Sequence, residues 1–422
     1  MNEDAAKFHR LVARDLTARY ALAEDAPEGW RETSAWHWAQ GGAFAEAADD
    51  AIEVAQSRIA RLDFAAGRRW AERALEHLDR LDLAERRAYD LRAYAVALAV
   101  LEFGGHYREA LDYAQRMVRA ARSGGHEAQA QALLALGRMQ RELGQLAQAE
   151  ITLHEARTLA ESEESGALEA DVRFHLAKVH QLQGRHIEAL QELQLAQEEH
   201  AQTDDRIKLA RVFTGMGDVY RVLGAAREAL RFYQRALGLE QGRGNPMGQA
   251  ILKDKIALSL LALGRFDEAE IVARESLQLR ELIGDTVGQA RSYSVLGTVS
   301  QHLGNYEQAI DQHQRALALE EQTQNRRGQN VALLHLGDAF LALHNLDEAN
   351  GFYRRAHALA QHSDDAVALV RALERLGDLA CEQAQPEAAN GAWVEALRIR
   401  EALGHADEAA ALRERLKTGA RP

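Results

Sequence analysis

The stretch that decides the fold is LGTVSQHLGNYEQAIDQHQRA, at residues 296–316. Its small residues form the pattern L-G-x(6)-G-x(4)-A-x(6)-A, through Gly297, Gly304, Ala309 and Ala316. The pattern recurs every 40 residues in seven units without an insertion, starting from Leu136 and Gly137, with Ala, Ser or His at a few positions. Self-similarity at a fixed period of this length is typical of stacked supersecondary units, so the sequence predicts a repeat solenoid.

Each column of the repeat predicts a local conformation. Small residues at Gly137 and its equivalents let two helices approach closely, and Gly144 and its equivalents suit the left-handed residue that ends a helix. The alanines equivalent to Ala149 and Ala156 fall on one face of a second helix. Good N-cap residues share one column: Ser165, Asp205, Asn245, Asp285, Asn325 and Asp365. The preceding column holds glycines that stop helices: Gly124, Gly244, Gly284 and Gly404. Each unit is therefore predicted to be helix–turn–helix, with helices of about 16 residues.

The pattern resembles the tetratricopeptide repeat, whose usual period is about 34 residues. Here about six extra residues fall around the turn between units and are expected to lengthen both flanking helices. Long repeats with the turn GDTVGQA, at residues 284–290, look like those of bacterial signalling ATPases and animal polarity scaffolds. HEAT and armadillo repeats have a similar period but lack this Gly and Ala register. We expect an all-α, right-handed α-solenoid of tandem tetratricopeptide-like repeats.

The repeat register predicts five parts of the chain. They are a leading helix and hinge at residues 1–30, divergent helical repeats at 31–87, one repeat-like unit at 88–126, seven 40-residue repeats at 127–405, and a capping helix with a tail at 406–422. The unit at 88–126 is identified by GHYREA, which matches GNYEQA at residues 304–309. In the divergent part, three tryptophans are predicted to fill irregular core packing: Trp36, Trp38 and Trp70.

The N-terminal segment resembles a junction in STAND-type signal-transduction ATPases. In that family, nucleotide-binding and winged-helix modules are followed by helices similar to FHRLVARDLTARY at residues 8–20 and AWHWAQGGAFAEAADD at residues 35–50, and then by tetratricopeptide repeats. This chain contains no G-x-x-x-x-G-K-[ST] phosphate loop. The resemblance therefore implies the C-terminal sensor portion of such a protein, with the nucleotide-binding module upstream of Met1.

Composition argues against several classes of protein. The 422 residues include 51 Lys and Arg against 64 Asp and Glu, and the net charge of −13 argues against nucleic-acid binding as the main role. The single cysteine rules out a disulfide scaffold and suits a reducing compartment. No apolar run approaches the roughly 18 residues of a membrane span, and the first ten residues do not resemble a signal peptide. We expect a cytoplasmic protein without a membrane partner, whose isolated array is a monomer.

No pattern in the chain predicts an enzyme. Its 17 histidines lack the H-x-x-x-H and H-E-x-x-H spacings of metal ligands. The acidic pairs Asp204-Asp205 and Asp364-Asp365 fall in the N-cap column, and Cys381 has no compelling His partner in the sequence. We therefore expect no catalytic residue, no metal and no cofactor. The enzyme-class alternative is a helical hydrolase with a site in the groove, which requires a deep pocket with coupled titrating residues.

The first helices of tetratricopeptide folds line a concave groove where partners bind, so the groove residues are the candidate site. If the 137 column is a core position, the columns at 131, 134, 138, 141 and 142 face inward. The candidate ligand-binding residues are Arg138, Arg141, Lys178, Arg211, Asp218, Arg221, Ile251, Leu258, Leu261, Arg291, Gln301, Asp338, Arg371 and Asp378. In the functional interpretation, the arginines bind carboxylates and the apolar middle binds an anchor side chain. In the alternative, Arg and Asp form solvated ion pairs between neighbouring repeats.

These observations predict a non-enzymatic, ligand-sensing domain of a STAND-type ATPase, which binds a protein or peptide in its concave groove. The domain is expected to help hold the absent ATPase inactive until ligand binding shifts the equilibrium between the states of the ATPase. The array of around ten helix pairs is expected to describe about one superhelical turn. The alternative is a freestanding tetratricopeptide-repeat adaptor. The two differ at residues 1–30, where the ATPase hypothesis predicts an exposed apolar face and the adaptor hypothesis a solvated cap.

Overall fold

The computed structural model describes residues 3–21, 23, 26–61, 63–122, 124–163, 165–203, 205–363, 365–403 and 406–418. These residues form 21 α-helices and contain no β-strand. The helices are α1 Glu3–Tyr20, α2 Trp30–Gln40, α3 Phe44–Ala60, α4 Phe64–Leu78, α5 Leu83–Phe103, α6 Tyr107–Ala121, α7 His126–Glu142, α8 Leu146–Ser162, α9 Gly166–Leu182, α10 His186–Gln202, α11 Arg206–Val222, α12 Ala226–Gly242, α13 Pro246–Ala262, α14 Phe266–Ile283, α15 Thr286–His302, α16 Tyr306–Gln322, α17 Arg326–Ala342, α18 Leu346–His362, α19 Ala366–Glu382, α20 Pro386–Ala402 and α21 Ala406–Thr418. The predicted all-α solenoid of helix–turn–helix repeats is confirmed.

Three residues for which the sequence predicted turn positions, Asp204, Asp364 and Gly404, lie outside the described residues. Among the residues that are described, no helix is both long and apolar enough to cross a membrane. The chain divides into two compact units, Met1–Val179 and His180–Pro422.

In the first unit, each helix from α1 to α8 packs against the next. Trp38 is only 7% exposed and packs in a small hydrophobic core together with Ala13 and Ala47. Trp36 is 53% exposed, so the prediction that it is a core residue is wrong. Residues two apart on an α-helix point in nearly opposite directions, and therefore α2 can bury only one of these two indoles. Trp70 is half-buried and packs against the core between α3 and α5.

In the second unit, first helices (α11, α13, α15, α17 and α19) alternate with second helices, and each helix from α10 to α21 contacts the next. From α13 to α19, the first helices of adjacent repeats also contact each other. In the described part of this unit, the second helices do not approach one another to the same extent. The first helices are therefore the more closely spaced layer, which makes theirs the inner side of these repeats.

The 137 column must be small because a side chain from the second helix lies directly on it. A Cβ built at Gly337 would be 2.2 Å from Cε1 of Tyr353, and one built at Gly377 would be 2.4 Å from Nε1 of Trp393. These distances are far inside van der Waals contact, so the predicted close approach of the two helices is confirmed.

The 144 column adopts the left-handed conformation that the glycines suggested. Gly264 has φ 71°, and the two repeats that lack glycine here adopt the same conformation with His344 (φ 56°) and Ala384 (φ 54°). The N-cap prediction also holds, since the Asp285 carboxylate accepts a hydrogen bond from the backbone N–H of Gly288 at 2.8 Å. Packing of the helix pair therefore imposes the turn even where the residue is unfavourable for it.

We expect Gly337→Ala and Gly351→Ala to change stability in opposite directions. The Cβ at position 337 clashes with the Tyr353 ring and costs about 1–3 kcal/mol. Gly351 is exposed on α18 with no atom within 4 Å of an added Cβ, and Ala is the better helix former by about 0.5–1 kcal/mol. Urea unfolding followed by circular dichroism measures both changes. Equal midpoints for the two variants would contradict the packing role of Gly337.

One member of the column that packs on these glycines is a histidine. His313 is fully buried against Gly297, and its ring centroid lies 5.0 Å from that of His335. Neither of its ring nitrogens has a hydrogen-bond partner among the described residues. Burial, with a smaller contribution from the charge on His335, lowers the pKa of His313 to about 3.

This pKa makes the stability of the second unit depend on pH. In the unfolded chain His313 takes up a proton below about pH 6.5, whereas the folded ring stays neutral down to about pH 3. The unfolded state therefore binds the extra proton, and His313 lowers stability by up to about 1.4 kcal/mol for each pH unit below 6.5.

We expect His313→Leu, which introduces the residue found in the same column at Leu153 and Leu193, to flatten this dependence. Unfolding free energies in urea at pH 7 and pH 5 measure the slope. His362→Gln, on the exposed end of α18, is the matched control and should keep the wild-type slope. A wild-type slope in His313→Leu would show that other groups cause it.

Candidate functional site

The predicted site residues lie on first helices in both units. Arg138 and Arg141 are on α7 and Lys178 is on α9, within the first unit. Those of the second unit are Arg211, Asp218 and Arg221 on α11, Ile251, Leu258 and Leu261 on α13, Arg291 and Gln301 on α15, Asp338 on α17, and Arg371 and Asp378 on α19. We call the side of these helices that carries residues 211, 218 and 221, and their equivalents at intervals of 40, the inner face.

The 131 column is an accessible row of the inner face. Its members in the second unit are Arg211, Ile251, Arg291, Val331 and Arg371. Each of them is the sixth residue of its helix, so the row crosses the five first helices at one level. The arginines are exposed and the two aliphatic residues are half-buried. The row therefore presents cationic and apolar side chains alternately.

The aspartates of the 138 column form hydrogen bonds and ion pairs with other side chains of the protein. Tyr353, fully buried on the second helix, donates its hydroxyl hydrogen to Asp338 at 2.7 Å. Arg375 of the next first helix forms an ion pair with the same carboxylate at 2.9 Å. Burial, followed by the charge of Asp338, raises the pKa of Tyr353, so the hydroxyl remains a donor. Asp338 thus joins both helices of its own repeat to the next repeat.

The ion pair recurs in two other repeats, and the tyrosine donor recurs in one of them. Asp218 accepts from Tyr233 at 2.8 Å and from Lys255 at 2.5 Å, and Asp378 accepts from Arg415 at 3.0 Å. In each case the cation follows the aspartate by 37 residues in the sequence. For these aspartates, the structure shows the ion pairs between neighbouring repeats that the sequence offered as the alternative to ligand binding. Opposite charges at a spacing of 37 residues are the sequence signal that could have identified them.

In the first unit, the candidate cations also have internal contacts. Arg138 forms an ion pair with Glu102 of the preceding first helix, with N···O distances down to 2.5 Å. Arg141 lies 2.8 Å from Nδ1 of His175. These residues contribute to the packing of α5, α7 and α9, and the structure does not set them apart as a binding surface.

The apolar middle of the inner face is only partly accessible. Ile251 and Leu258 are half-buried, whereas Leu261 is 7% exposed and belongs to the core. Further along, α17 and α19 border an open pocket of about 360 Å³. It is lined by Asp338, Leu341, Ala342, His344, Arg375 and Glu382.

A buried ion pair that the sequence analysis missed fixes three helices beneath this face. Arg280 on α14 is 1% exposed and contacts Asp254 on α13 at 2.7 Å. Ser292 on α15 donates to the same carboxylate at 3.1 Å, and Ser276 occupies a column that is alanine in the other repeats. Burial raises the pKa of Asp254, an effect that the charge of Arg280 opposes. The pair holds α13, α14 and α15 together and is not accessible to a ligand.

Apolar and aromatic side chains are exposed at the N-terminal end of the first unit. Phe8 and Leu11 on α1 are 60% and 65% exposed, and Trp36 on α2 is 53% exposed. The His9 ring lies between Phe8 and Trp36, with centroids 5.7 and 5.3 Å away. Nδ1 of His9 is 2.8 Å from Nδ1 of His37, so this surface is held by a contact between α1 and α2.

Comparison with known proteins agrees with this architecture. The family profile described as tetratricopeptide repeat matches residues 168–239 and 249–322. A search of curated protein sequences finds no significant match.

Solved structures that are similar to the chain include the following three. The apo form of the quorum sensor NprR from B. thuringiensis has a TM-score of 0.56 and 13% identity, over 83% of this chain and 98% of that one. The Rap protein complexed with competence and sporulation factor has a TM-score of 0.54 and 17% identity, over 79% and 98%. A STAND protein with a tetratricopeptide repeat sensor, from Pyrococcus horikoshii, has a TM-score of 0.52 and 17% identity, over 83% of this chain and 55% of that one. At these identities the likeness concerns the fold.

We expect Tyr353→Phe to destabilise the second unit by about 1–2 kcal/mol. The variant keeps the ring on Gly337 but removes the hydrogen bond to the Asp338 carboxylate. Tyr306→Phe is the control, because no hydrogen bond of the Tyr306 hydroxyl is seen among the described residues, and its effect should stay within about 0.5 kcal/mol. Urea unfolding measures both. A double-mutant cycle with Arg375→Gln should show coupling, and simple additivity would contradict the shared carboxylate.

Proposed function

We propose that this tetratricopeptide-repeat chain binds a peptide or a segment of another protein on its inner face. The single observation that carries the proposal is the 131 row. Its Arg291 and Arg371 are exposed beside half-buried Ile251 and Val331, while the aspartates of the 138 column are bound within the protein. Exposed arginines next to an apolar anchor site are typical of surfaces that bind peptides.

More specifically, we infer that the chain is the ligand-sensing part of a STAND-type signalling ATPase. The junction-like sequences at residues 8–20 and 35–50 support this, as does the likeness to a STAND protein with a tetratricopeptide repeat sensor. The exposed Phe8, Leu11 and Trp36 support it too, because an upstream module would cover such an apolar face. In this account, ligand binding to the repeats shifts the population of the nucleotide-binding module between its states.

The freestanding adaptor remains the second candidate function. It has the same binding face but no upstream module, and the similarity to the NprR quorum sensor and the Rap protein over nearly their full lengths favours it. Both candidates are non-enzymatic. The hydrolase alternative requires a deep pocket, whereas the pocket beside Asp338 is open. A cytoplasmic location and a monomeric array stay predictions.

Site-specific photo-crosslinking tests the binding face. p-Benzoylphenylalanine replaces either Gln301, half-buried on the inner face of α15, or Gln278, exposed on the second helix α14. We expect a partner adduct in cells from the position-301 variant only, and its loss when Arg291→Glu is added. Arg274→Glu, on the exposed side of α14, is the matched charge control and should leave the adduct intact. Adducts from position 278 alone would contradict the proposal.

The coding sequence immediately upstream of Met1 distinguishes the two candidate functions. A phosphate-loop module joined in frame would support the sensor of a STAND-type ATPase. A stop codon directly upstream would contradict it and leave the adaptor.

A further inference from the structure

We propose that the segment bound on the inner face is an extended acidic peptide, with carboxylates about six residues apart and an apolar residue midway between them. This inference rests on the proposed function and adds the chemistry of the partner. It arises from the order of side chains along the 131 row of the second unit.

The row has a strict alternation. Arginine occupies α11, α15 and α19, and an aliphatic residue occupies α13 and α17 between them, namely Ile251 and Val331. The row carries no carboxylate between residues 180 and 422, although the chain as a whole has a net charge of −13. It is therefore a line of positive charge on an acidic protein, which favours an anionic ligand and directs it to this face.

The charges of Arg291 and Arg371 are available to a ligand. In the described part of the chain, neither Arg291 nor Arg371 has a carboxylate within 4.0 Å, in contrast to Arg375, whose partner is Asp338. Asp254 and Glu320 are influenced by the charge of Arg291, but both are buried, at 3% and 6% exposed. An incoming carboxylate can therefore bind the guanidinium group of Arg291 or Arg371 without breaking an ion pair seen among the described residues.

The distance between the first helices determines the spacing expected between the peptide side chains that contact the row. The axes of contacting helices lie about 8–10 Å apart, so Arg291 on α15 and Arg371 on α19 are separated by about 20 Å. The same spacing is assumed between Arg211 on α11 and Arg291. An extended chain advances about 3.3 Å per residue, and about six residues span that distance. An apolar residue three positions after each acidic residue then lies over Ile251 or Val331. The expected pattern is acidic-x-x-apolar-x-x-acidic, repeated once.

A peptide fits this row better than a single-stranded nucleic acid does. Binding of single strands commonly relies on aromatic side chains that stack on the bases, and the row contains none. Its intervening residues are aliphatic, and these suit an apolar anchor side chain.

The test uses a fluorescein-labelled 13-residue peptide with Glu at positions 1, 7 and 13, Leu at positions 4 and 10, and Ser or Gly elsewhere. Fluorescence anisotropy with the full chain measures its Kd. We expect it to bind at least about tenfold more tightly than the same peptide with Lys for Glu, and about threefold more tightly than an isomer with its three Glu adjacent. The Arg291→Gln and Arg371→Gln variants should each weaken binding about three- to tenfold, whereas Arg274→Gln on α14 should not change it.

Circular dichroism and the unfolding midpoint establish that each variant is folded. Equal affinity for the spaced and adjacent Glu peptides, or unchanged affinity in both Arg291→Gln and Arg371→Gln, would overturn the inference. Equal affinity for a fluorescein-labelled thymidine oligonucleotide would overturn it in favour of nonspecific anion binding. If crosslinking from position 301 succeeds but the chain binds the spaced and adjacent Glu peptides equally well, only this inference fails. If crosslinking occurs solely from position 278, the proposed function fails as well.

Discussion

The rest of the structure depends on the contact between a large side chain of the second helix and the small residue that it covers on the first helix. The column of Tyr353 holds a large side chain in every 40-residue repeat except that of α14, which has Ala273. Tyr353 lies on Gly337 so closely that even a methyl group would clash, and the same contact recurs with Trp393 on Gly377. Such a contact fixes both the distance and the rotation of the helix pair. Because the register continues every 40 residues without an insertion, the 131 column is at least partly exposed in every repeat of the second unit.

This fixed register explains why some polar side chains of the inner face have partners within the protein and others do not. The 138 column lies where the tyrosine hydroxyl of the second helix and a cation of the next repeat both reach it, so Asp338 joins three helices. The 131 column lies two helical turns earlier, where no described residue forms an ion pair with Arg291 or Arg371. Two columns on the same face therefore differ in their contacts within the protein, and the difference comes from their positions relative to the neighbouring repeat.

The sequence was sufficient to predict the elements of the fold because their signals are local. The left-handed turn at Gly264 and the N-cap at Asp285 each depend on a few adjacent residues, and both are found as expected. Contacts between repeats could not be predicted in the same way, since the 37-residue offset between Asp338 and Arg375 depends on how far one first helix is shifted against the next. The choice between Trp36 and Trp38 for the core likewise depends on the orientation of α2. The division into five parts and the assignment of ligand-binding residues stay predictions.

The central claim is that a partner occupies the 131 row of the inner face, and thiol footprinting tests it most directly. In a Cys381→Ser background, the Val331→Cys variant carries a single thiol on that row, and the Val394→Cys variant carries one on the exposed side of the second helix α20. Alkylation rates are measured with and without saturating amounts of the partner identified by crosslinking. The account predicts at least about tenfold slower alkylation at position 331 and no change at position 394. Unchanged alkylation at position 331 with the partner bound would contradict it.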